Sequence, residues 1–255
     1  KTSTQTKRRP LKMCTTDDTS TPKKKAVILL LDMDGVLADV SMSYRAAIIK
    51  TAHFFGGTNI NSEMVSTRKA AGGCNNDWVL TRDLLAEEAS IQKTLEVVTE
   101  KFEEYYQVLS EDEGLIPDAA FLAELSGRCR SADGGGTAIV TGRPRKDCEK
   151  FLERNGLSGL FDACICMEDG PPKPDPFPIV AALEALGAAG RRDRAVMVGD
   201  TPDDIRAAVA AGVRAVGVFT PDDHKIGKKL LADAMLECGA EEVMDPGFDK
   251  LSEIF

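Results

Sequence analysis

The sequence predicts an α/β protein: a Rossmann-like parallel sheet core carrying an inserted α-helical domain. Three observations predict it. Short apolar, β-branched runs alternate with amphipathic stretches from residue 25 onward. The first two runs are separated by more than 100 residues that hold only helical patterns. Polar residues fit for chemistry collect where the runs end. Continuous apolar strands separated by helices belong to a parallel sheet covered on both faces.

The expected strands are 26–32 (AVILLLD), 136–141 (GTAIVT), 163–167 (ACICM), 195–199 (AVMVG) and 214–219 (RAVGVF), with 242–244 weaker. After the first strand, residues 42–55, 61–70, 77–90 and 91–109 read as helices, punctuated by Gly56-Gly57 and Gly72-Gly73. A structureless loop of that length is rare in a compact protein, so the interval is read as a helical insertion. A core helix is expected from about Pro117 (PDAAFLAEL), and further helices over 176–187, 202–211 and 226–238. Gly134-Gly135-Gly136 is a turn into the second strand, because a phosphate-cradling loop needs another spacing and a following helix. These boundaries divide the chain into a tail (1–25), the α/β core (26–39 and 114–255) and the helical insertion (40–113).

Charge is distributed unevenly. Residues 1–25 hold eight Lys or Arg against Asp17 and Asp18. Removing them from totals of 32 basic and 41 acidic residues leaves 24 against 39, a charge of −15 on the body. Such a body argues against nucleic-acid binding, which depends on Lys and Arg displacing counterions. It also means that an anionic substrate needs a local cation. The tail is rich in Ser and Thr and poor in apolar residues, so it is expected to be disordered. It reads either as a solvated tail or as the remnant of an organelle transit peptide. No run approaches the roughly 20 apolar residues of a membrane-spanning helix, so no membrane partner is expected. Seven scattered cysteines (14, 74, 129, 148, 164, 166, 238) form no Cys-x-x-Cys pair, which suggests reduced thiols in an intracellular compartment. Cys164 and Cys166 alternate within a strand and read as packing residues.

In open parallel sheets, ligands bind beyond the carboxyl ends of the strands. There the first strand runs into Asp32-Met33-Asp34-Gly35-Val36 and the second into Thr141-Gly142-Arg143-Pro144. Lys173-Pro174-Asp175-Pro176 follows the third, and Gly199-Asp200-Thr201-Pro202-Asp203-Asp204 closes the fourth. Carboxylate oxygens are hard ligands suited to Mg2+. Packed together they repel one another until a cation joins them. Lys173 and the groups around Thr141 are suited to phosphoryl oxygens, and phosphoryl transfer needs mainly positioning and charge stabilisation.

Asp-x-Asp-Gly-Val, Thr141, Lys173 and Gly-Asp-x-x-x-Asp, in this order, resemble the four motifs of the haloacid dehalogenase-like superfamily, over residues 26–220. The helical insertion resembles that superfamily's type-I cap. The resemblance implies a Mg2+-dependent phosphatase acting on a small phosphorylated metabolite, such as a sugar phosphate or a phosphoglycolate-like compound. It makes Asp32 the nucleophile that forms an aspartyl-phosphate. Asp34 becomes the acid that protonates the leaving oxygen, then the base for water. Thr141 binds a phosphoryl oxygen and Lys173 stabilises nucleophile and phosphoryl. Asp200 binds the metal with the Asp32 carboxylate and the Asp34 carbonyl, and Asp204 orients that site. Asp203 reads as a solvent-facing or helix N-terminal acid. Dehalogenase relatives lack the second aspartate, because a halide leaves without a proton, so Asp34 favours phosphate-ester chemistry.

Other assignments stay open at this level. Gly142 and Arg143 stand beside the phosphoryl site, and Arg143 either reaches substrate or forms a surface salt bridge. Asn75 and Asn76, in Gly72-Gly73-Cys74-Asn75-Asn76-Asp77-Trp78, either hydrogen-bond a hydroxylated substrate or cap the next helix. His53, expected on an apolar helix face, and His224, in a polar turn, read as structural. A phosphomutase of the β-phosphoglucomutase type shares all four motifs and is the alternative activity. A phospho-accepting signalling module is a remote third, since such modules lack a cap.

Overall fold

The computed structural model describes residues 25–73, 76–221 and 228–255. The expected disordered tail, apart from Lys25, lies outside the described residues, as do Cys14, Cys74, Asn75 and His224.

In chain order the elements are β1 (Ile28–Leu31), β2 (Ala38–Asp39), α1 (Tyr44–Phe54), α2 (Ser62–Ala71), α3 (Asp77–Glu88) and α4 (Leu95–Leu109). Then come β3 (Gly114–Leu115), α5 (Ala119–Ser131), β4 (Gly136–Val140), α6 (Arg145–Arg154), β5 (Ala163–Ile165) and α7 (Phe177–Ala185). The chain continues through β6 (Ala195–Gly199), α8 (Pro202–Ala210), β7 (Arg214–Val218), α9 (Lys228–Glu237) and β8 (Val243–Met244). Six strands form one parallel sheet in the order β5-β4-β1-β6-β7-β8. The chain runs outward from β1 through β4 to β5, then returns to β6 on the other side of β1. Its topological switch therefore lies beside β1, where ligands bind in such sheets.

The unbroken apolar run of β1 is explained by its burial on both faces. Leu29 and Leu31 join a core with Leu122 and Leu125 of α5 and Phe151 of α6. Ile28 and Leu30 point the other way, onto Ile179 and Leu183 of α7 and Ile205 of α8. Period-two alternation thus gives each face its own layer of helices.

Helices α1, α3 and α4 pack on one another above the sheet. On α4, Val98, Phe102 and Tyr106 recur every four residues and are buried. On α1, Tyr44, Ala47, Ile48, Thr51 and Ala52 form the facing stripe. The Tyr44 and Tyr106 ring centroids lie 4.1 Å apart, their planes tilted by 30°.

The structure departs from the expected elements in four places. The antiparallel pair β2–β3 was not foreseen, because strands of two residues show no period. Helix α6 was missed because its charged sequence, RKDCEKFLER, hides a stripe of Cys148, Phe151 and Leu152. The helix expected from residue 91 begins only after Thr94, whose hydroxyl caps it by accepting the Val97 N–H. His53 is exposed rather than on an apolar face, and its ring bonds the Ile60 carbonyl at 2.8 Å.

Thr51 is fully buried, and its hydroxyl has no hydrogen-bond partner among the described residues. An unsatisfied buried hydroxyl costs about 1–3 kcal/mol. Thr51→Val keeps the shape and removes the hydroxyl, so it is expected to raise unfolding stability by about 1 kcal/mol in urea titration.

Candidate active site

Parallel register brings the motifs to one edge. Leu31 pairs with Ile139 on one side and Val198 on the other. Asp32, Thr141 and Asp200 therefore leave three adjacent strands side by side.

Two glycines permit the close approach. Gly35 has φ +76°, and a Cβ there would stand 2.4 Å from Asp200 Oδ2. A Cβ on Gly199 would meet the Asp204 Cβ at 2.1 Å. Only residues without side chains let the loop after β1 and the first turn of α8 share this space.

Lys173 is buried at the centre of the floor. Its Nζ donates to the Val140 carbonyl at 3.0 Å and pairs with Asp32 Oδ1 at 2.8 Å and Asp204 Oδ1 at 2.5 Å. Burial works against its charge, but Asp204 and Asp32 outweigh burial and hold the ammonium above the usual lysine range. Asp204 Oδ2 accepts from the Thr201 N–H at 3.0 Å and the Thr201 hydroxyl at 2.6 Å. Both oxygens of Asp204 are thus engaged in holding Lys173 and the start of α8. Thr141 is buried and accepts the Arg143 N–H at 3.1 Å.

One oxygen each of Asp32, Asp200 and Asp204 lies within 4.8 Å of the others. Burial pushes the Asp32 carboxyl from 3.8 up to about 7, opposed by Lys173 and reinforced by Asp204 and Asp34. Burial, then repulsion from Asp204 and Asp32, lifts Asp200 well above the usual carboxylate range. Among the described residues Asp200 has no ion-pair partner. A divalent cation fits this donor set. It would sit against Asp32 and Asp200, with Asp204 fixing the floor behind them.

Of the two sequence readings of Arg143, the structure excludes the surface salt bridge, because the residue is 1% exposed and faces no open solvent. Its Nε and Nη2 both reach Asp34 Oδ1, at 2.6 and 2.5 Å, and its Nη1 reaches Glu113 Oε2 at 2.9 Å. Tyr106 on α4 meets Nη1 at 3.2 Å, and Ser43, just before α1, donates to Glu113 Oε1 at 2.5 Å. Arg143 therefore holds Asp34 in place and ties it to both crossings between sheet and helices.

The remaining expected residues divide. Gly142 borders the crevice that holds Asp32, Asp34 and Asp200. Asn76 caps α3 by accepting the N–H groups of Trp78 and Val79 at 3.0 and 3.1 Å, and it also borders an apolar cavity of about 170 Å³ with Thr141, Lys173 and Phe177. Asn75 lies outside the described residues. Asp203 stands in the first turn of α8, as the helix N-terminal reading expects, and is not solvent-facing. It is 2% exposed, accepts the Gly73 N–H at 2.6 Å and pairs with Arg206 at 3.0 Å. Sequence reasoning missed Arg45, Lys69 and Asp77, which line the crevice from α1, α2 and α3. No motif marks them, and only tertiary packing brings them there.

Fold and crevice together define a parallel α/β protein with an acidic crevice at the strand ends of its open sheet. The chain belongs to the haloacid dehalogenase-like hydrolase family, whose sequence model matches residues 27–212. It is 45% identical over 242 residues to the imidazoleglycerol-phosphate dehydratase of Phytophthora nicotianae, covering 89% of this chain but only 52% of that protein. The chain thus spans about half the length of that relative. A Caldanaerobacter subterraneus protein designated a pyrophosphatase PpaX is 30% identical over 195 residues, 76% of this chain and 82% of its own. Among solved structures, a Thermotoga maritima protein designated a β-phosphoglucomutase superposes with a TM-score of 0.65 at 24% identity, covering 89% of this chain and 99% of its own. No helix among the described residues is long and apolar enough to cross a membrane.

A carboxyl whose folded pKa is raised stabilises the fold at low pH and loses that contribution as pH rises through the folded value. For Asp32 the window runs from 3.8 to about 7. Metal-free protein is therefore expected to melt at a lower temperature at about pH 8 than at about pH 5, and added Mg2+ to raise the melting temperature more at the higher pH. Asp200→Asn is expected to raise the metal-free melting temperature at about pH 8 and to abolish the Mg2+ response, both read by calorimetry.

Proposed function

We propose that this chain is a Mg2+-dependent phosphatase that hydrolyses a small phosphorylated metabolite through an aspartyl-phosphate on Asp32. The observation that carries the reading is the pairing of two differently held carboxylates at the end of β1. Asp32 Oδ1 is fixed by Lys173, and Asp34 is fixed by Arg143.

Each carboxylate then has one task. Asp32 attacks phosphorus, an Asp32 oxygen–phosphorus bond forms, and the bond from phosphorus to the leaving oxygen breaks. Asp34 gives its proton to that oxygen. Asp34 next takes a proton from water, which attacks the aspartyl-phosphate and releases inorganic phosphate. Thr141 and the backbone near Gly142 bind phosphoryl oxygens, and Lys173 offsets their charge in a water-poor floor. Asp32 and Asp200, with the Asp34 carbonyl, would hold Mg2+, which supplies positive charge against the phosphoryl oxygens. In this reading, residues 40–113 act as a cap that shields the reaction from bulk water.

Asp32→Asn is expected to abolish phosphate release while melting cooperatively like the wild type. Asp34→Asn is expected to lose about 10²–10⁴-fold in kcat, the usual worth of general acid–base catalysis. Phosphate release over a panel of phosphorylated metabolites, with Mg2+ and with chelator, checks both. Near wild-type release by Asp32→Asn would sink the mechanism. A requirement for a bisphosphate, with no free phosphate, would point to a mutase instead.

A further inference from the structure

The apolar cavity of about 170 Å³ lies against the phosphoryl-binding edge, and the steps assigned to Asp32 and Asp34 make no use of it. Ile165 and Met167 line it from β5 and the turn beyond, Pro171 and Pro172 from the loop that follows, and Phe177 and Pro178 from the start of α7. Thr141, Gly142 and Lys173 form its polar edge. Phe177 is 36% exposed and belongs to neither core layer, so packing of the fold does not account for an aromatic ring there. The wall resists collapse into the space. Each proline has a fixed φ. The Phe177 ring lies against the backbone of Gly170, where a Cβ would stand 2.2 Å from its Cε1.

The cavity is also close to the acid that protonates the leaving oxygen in the phosphatase reading. Asp34 borders a small recess of about 20 Å³ whose walls include Asn76, Gly142 and Met167. The same three residues line the cavity. A group attached to the leaving oxygen at Asp34 therefore has the cavity beside it. Its chemistry is opposite to that of the crevice on the other side of Gly142, which is lined by acids and cations. Among the described residues that line the cavity, Lys173 alone is charged, and Asp32 and Asp204 hold it. A hydroxylated group loses hydration on entering such a space, whereas an apolar one gains with the area it removes from water. An apolar cavity of about 150 Å³ holds a benzene ring, so the space here matches one ring.

We infer that the cavity is a subsite for an aromatic ring on the leaving half of the substrate, so that arylalkyl phosphates are preferred. The inference rests on the phosphatase reading and narrows its substrate class. Phe177 supplies a ring-to-ring contact, and Met167 and the prolines supply the remaining apolar wall. Because the wall is already formed, little ordering opposes binding.

The test compares kcat/KM of the Mg2+-loaded protein on benzyl phosphate, ethyl phosphate and glycerol 3-phosphate. All three release an alkoxide, so their intrinsic reactivities are similar. Benzyl phosphate is expected to exceed the other two by about 10–100-fold, the worth of burying one ring-sized apolar group. Met167→Trp fills the cavity and is expected to lower kcat/KM on the benzyl ester by about 10-fold more than on the ethyl ester. Phe177→Ala, at an exposed position, is expected to act in the same direction, and it carries the comparison if Met167→Trp does not fold. Equal kcat/KM for the benzyl and ethyl esters, or a preference for glycerol 3-phosphate, would overturn the inference. A benzyl preference that survives in the folded variants would overturn it as well, because the ring would then lie elsewhere. Binding separates this idea from the phosphatase reading. Calorimetry compares 2-phenylethylphosphonate with propylphosphonate, in which a methylene replaces the ester oxygen, on the wild type and Phe177→Ala. If no ester is hydrolysed, the phosphatase reading fails, while tighter phenylethylphosphonate binding that Phe177→Ala removes still supports the subsite and equal binding of the two rejects it.

Discussion

The structure depends on burying one ammonium between two carboxylates. Lys173 is 4% exposed, with Asp32 on one side and Asp204 on the other. A charge removed from water destabilises a fold by several kcal/mol unless opposite charge and hydrogen bonds replace the lost hydration. This pairing therefore fixes three segments relative to one another: the end of β1, the loop after β5 and the first turn of α8. Thr201 completes the arrangement by occupying the second oxygen of Asp204. Asp200 is left without an ion pair among the described residues, feeling Lys69 and Arg45 only at longer range, and with Asp32 and Asp204 it forms a donor set that a divalent cation would fit.

Arg143 repeats the principle a few residues from Thr141. It lies between the Tyr44 and Phe151 rings, 5.0 and 5.4 Å from their centroids, and its guanidinium divides between Asp34 and Glu113. The planar fork suits this task because it serves several acceptors at fixed angles, which a lysine does not. One buried cation thus governs the acid nearest the sheet, and the other governs the acid nearest the helices.

How much of this was legible in the sequence follows from where the signals lie. The apolar runs around β1, β4, β6 and β7 reveal the parallel sheet, since burial on both faces removes any polar alternation. Asp32, Asp34, Thr141 and Asp200 are readable because each sits at the end of such a run, and Lys173 because it opens Lys173-Pro174-Asp175-Pro176 after the run 163–167. Arg143 was visible as a residue, but its burial was not, because Tyr106 and Glu113 approach it from more than 29 residues away in sequence. Asp203 was legible as a helix N-terminal acid, but its burial was hidden for a similar reason. Its partner, the Gly73 N–H, is 130 positions distant and belongs to the backbone, which leaves no trace in side-chain pattern. Arg45 and Lys69 sit on helices whose charged residues mostly face solvent, so nothing local separates them from ordinary surface positions.

The first turn of α8 carries two neighbouring acids with opposite duties. Asp204 grips Lys173 on the crevice floor, while Asp203 grips the Gly72–Gly73 turn above it. A single peptide unit joins floor to roof. Any tilt of that turn is consequently transmitted both ways, so a disturbance in the roof reaches the lysine that anchors Asp32 through one rigid lever rather than through the body of the protein.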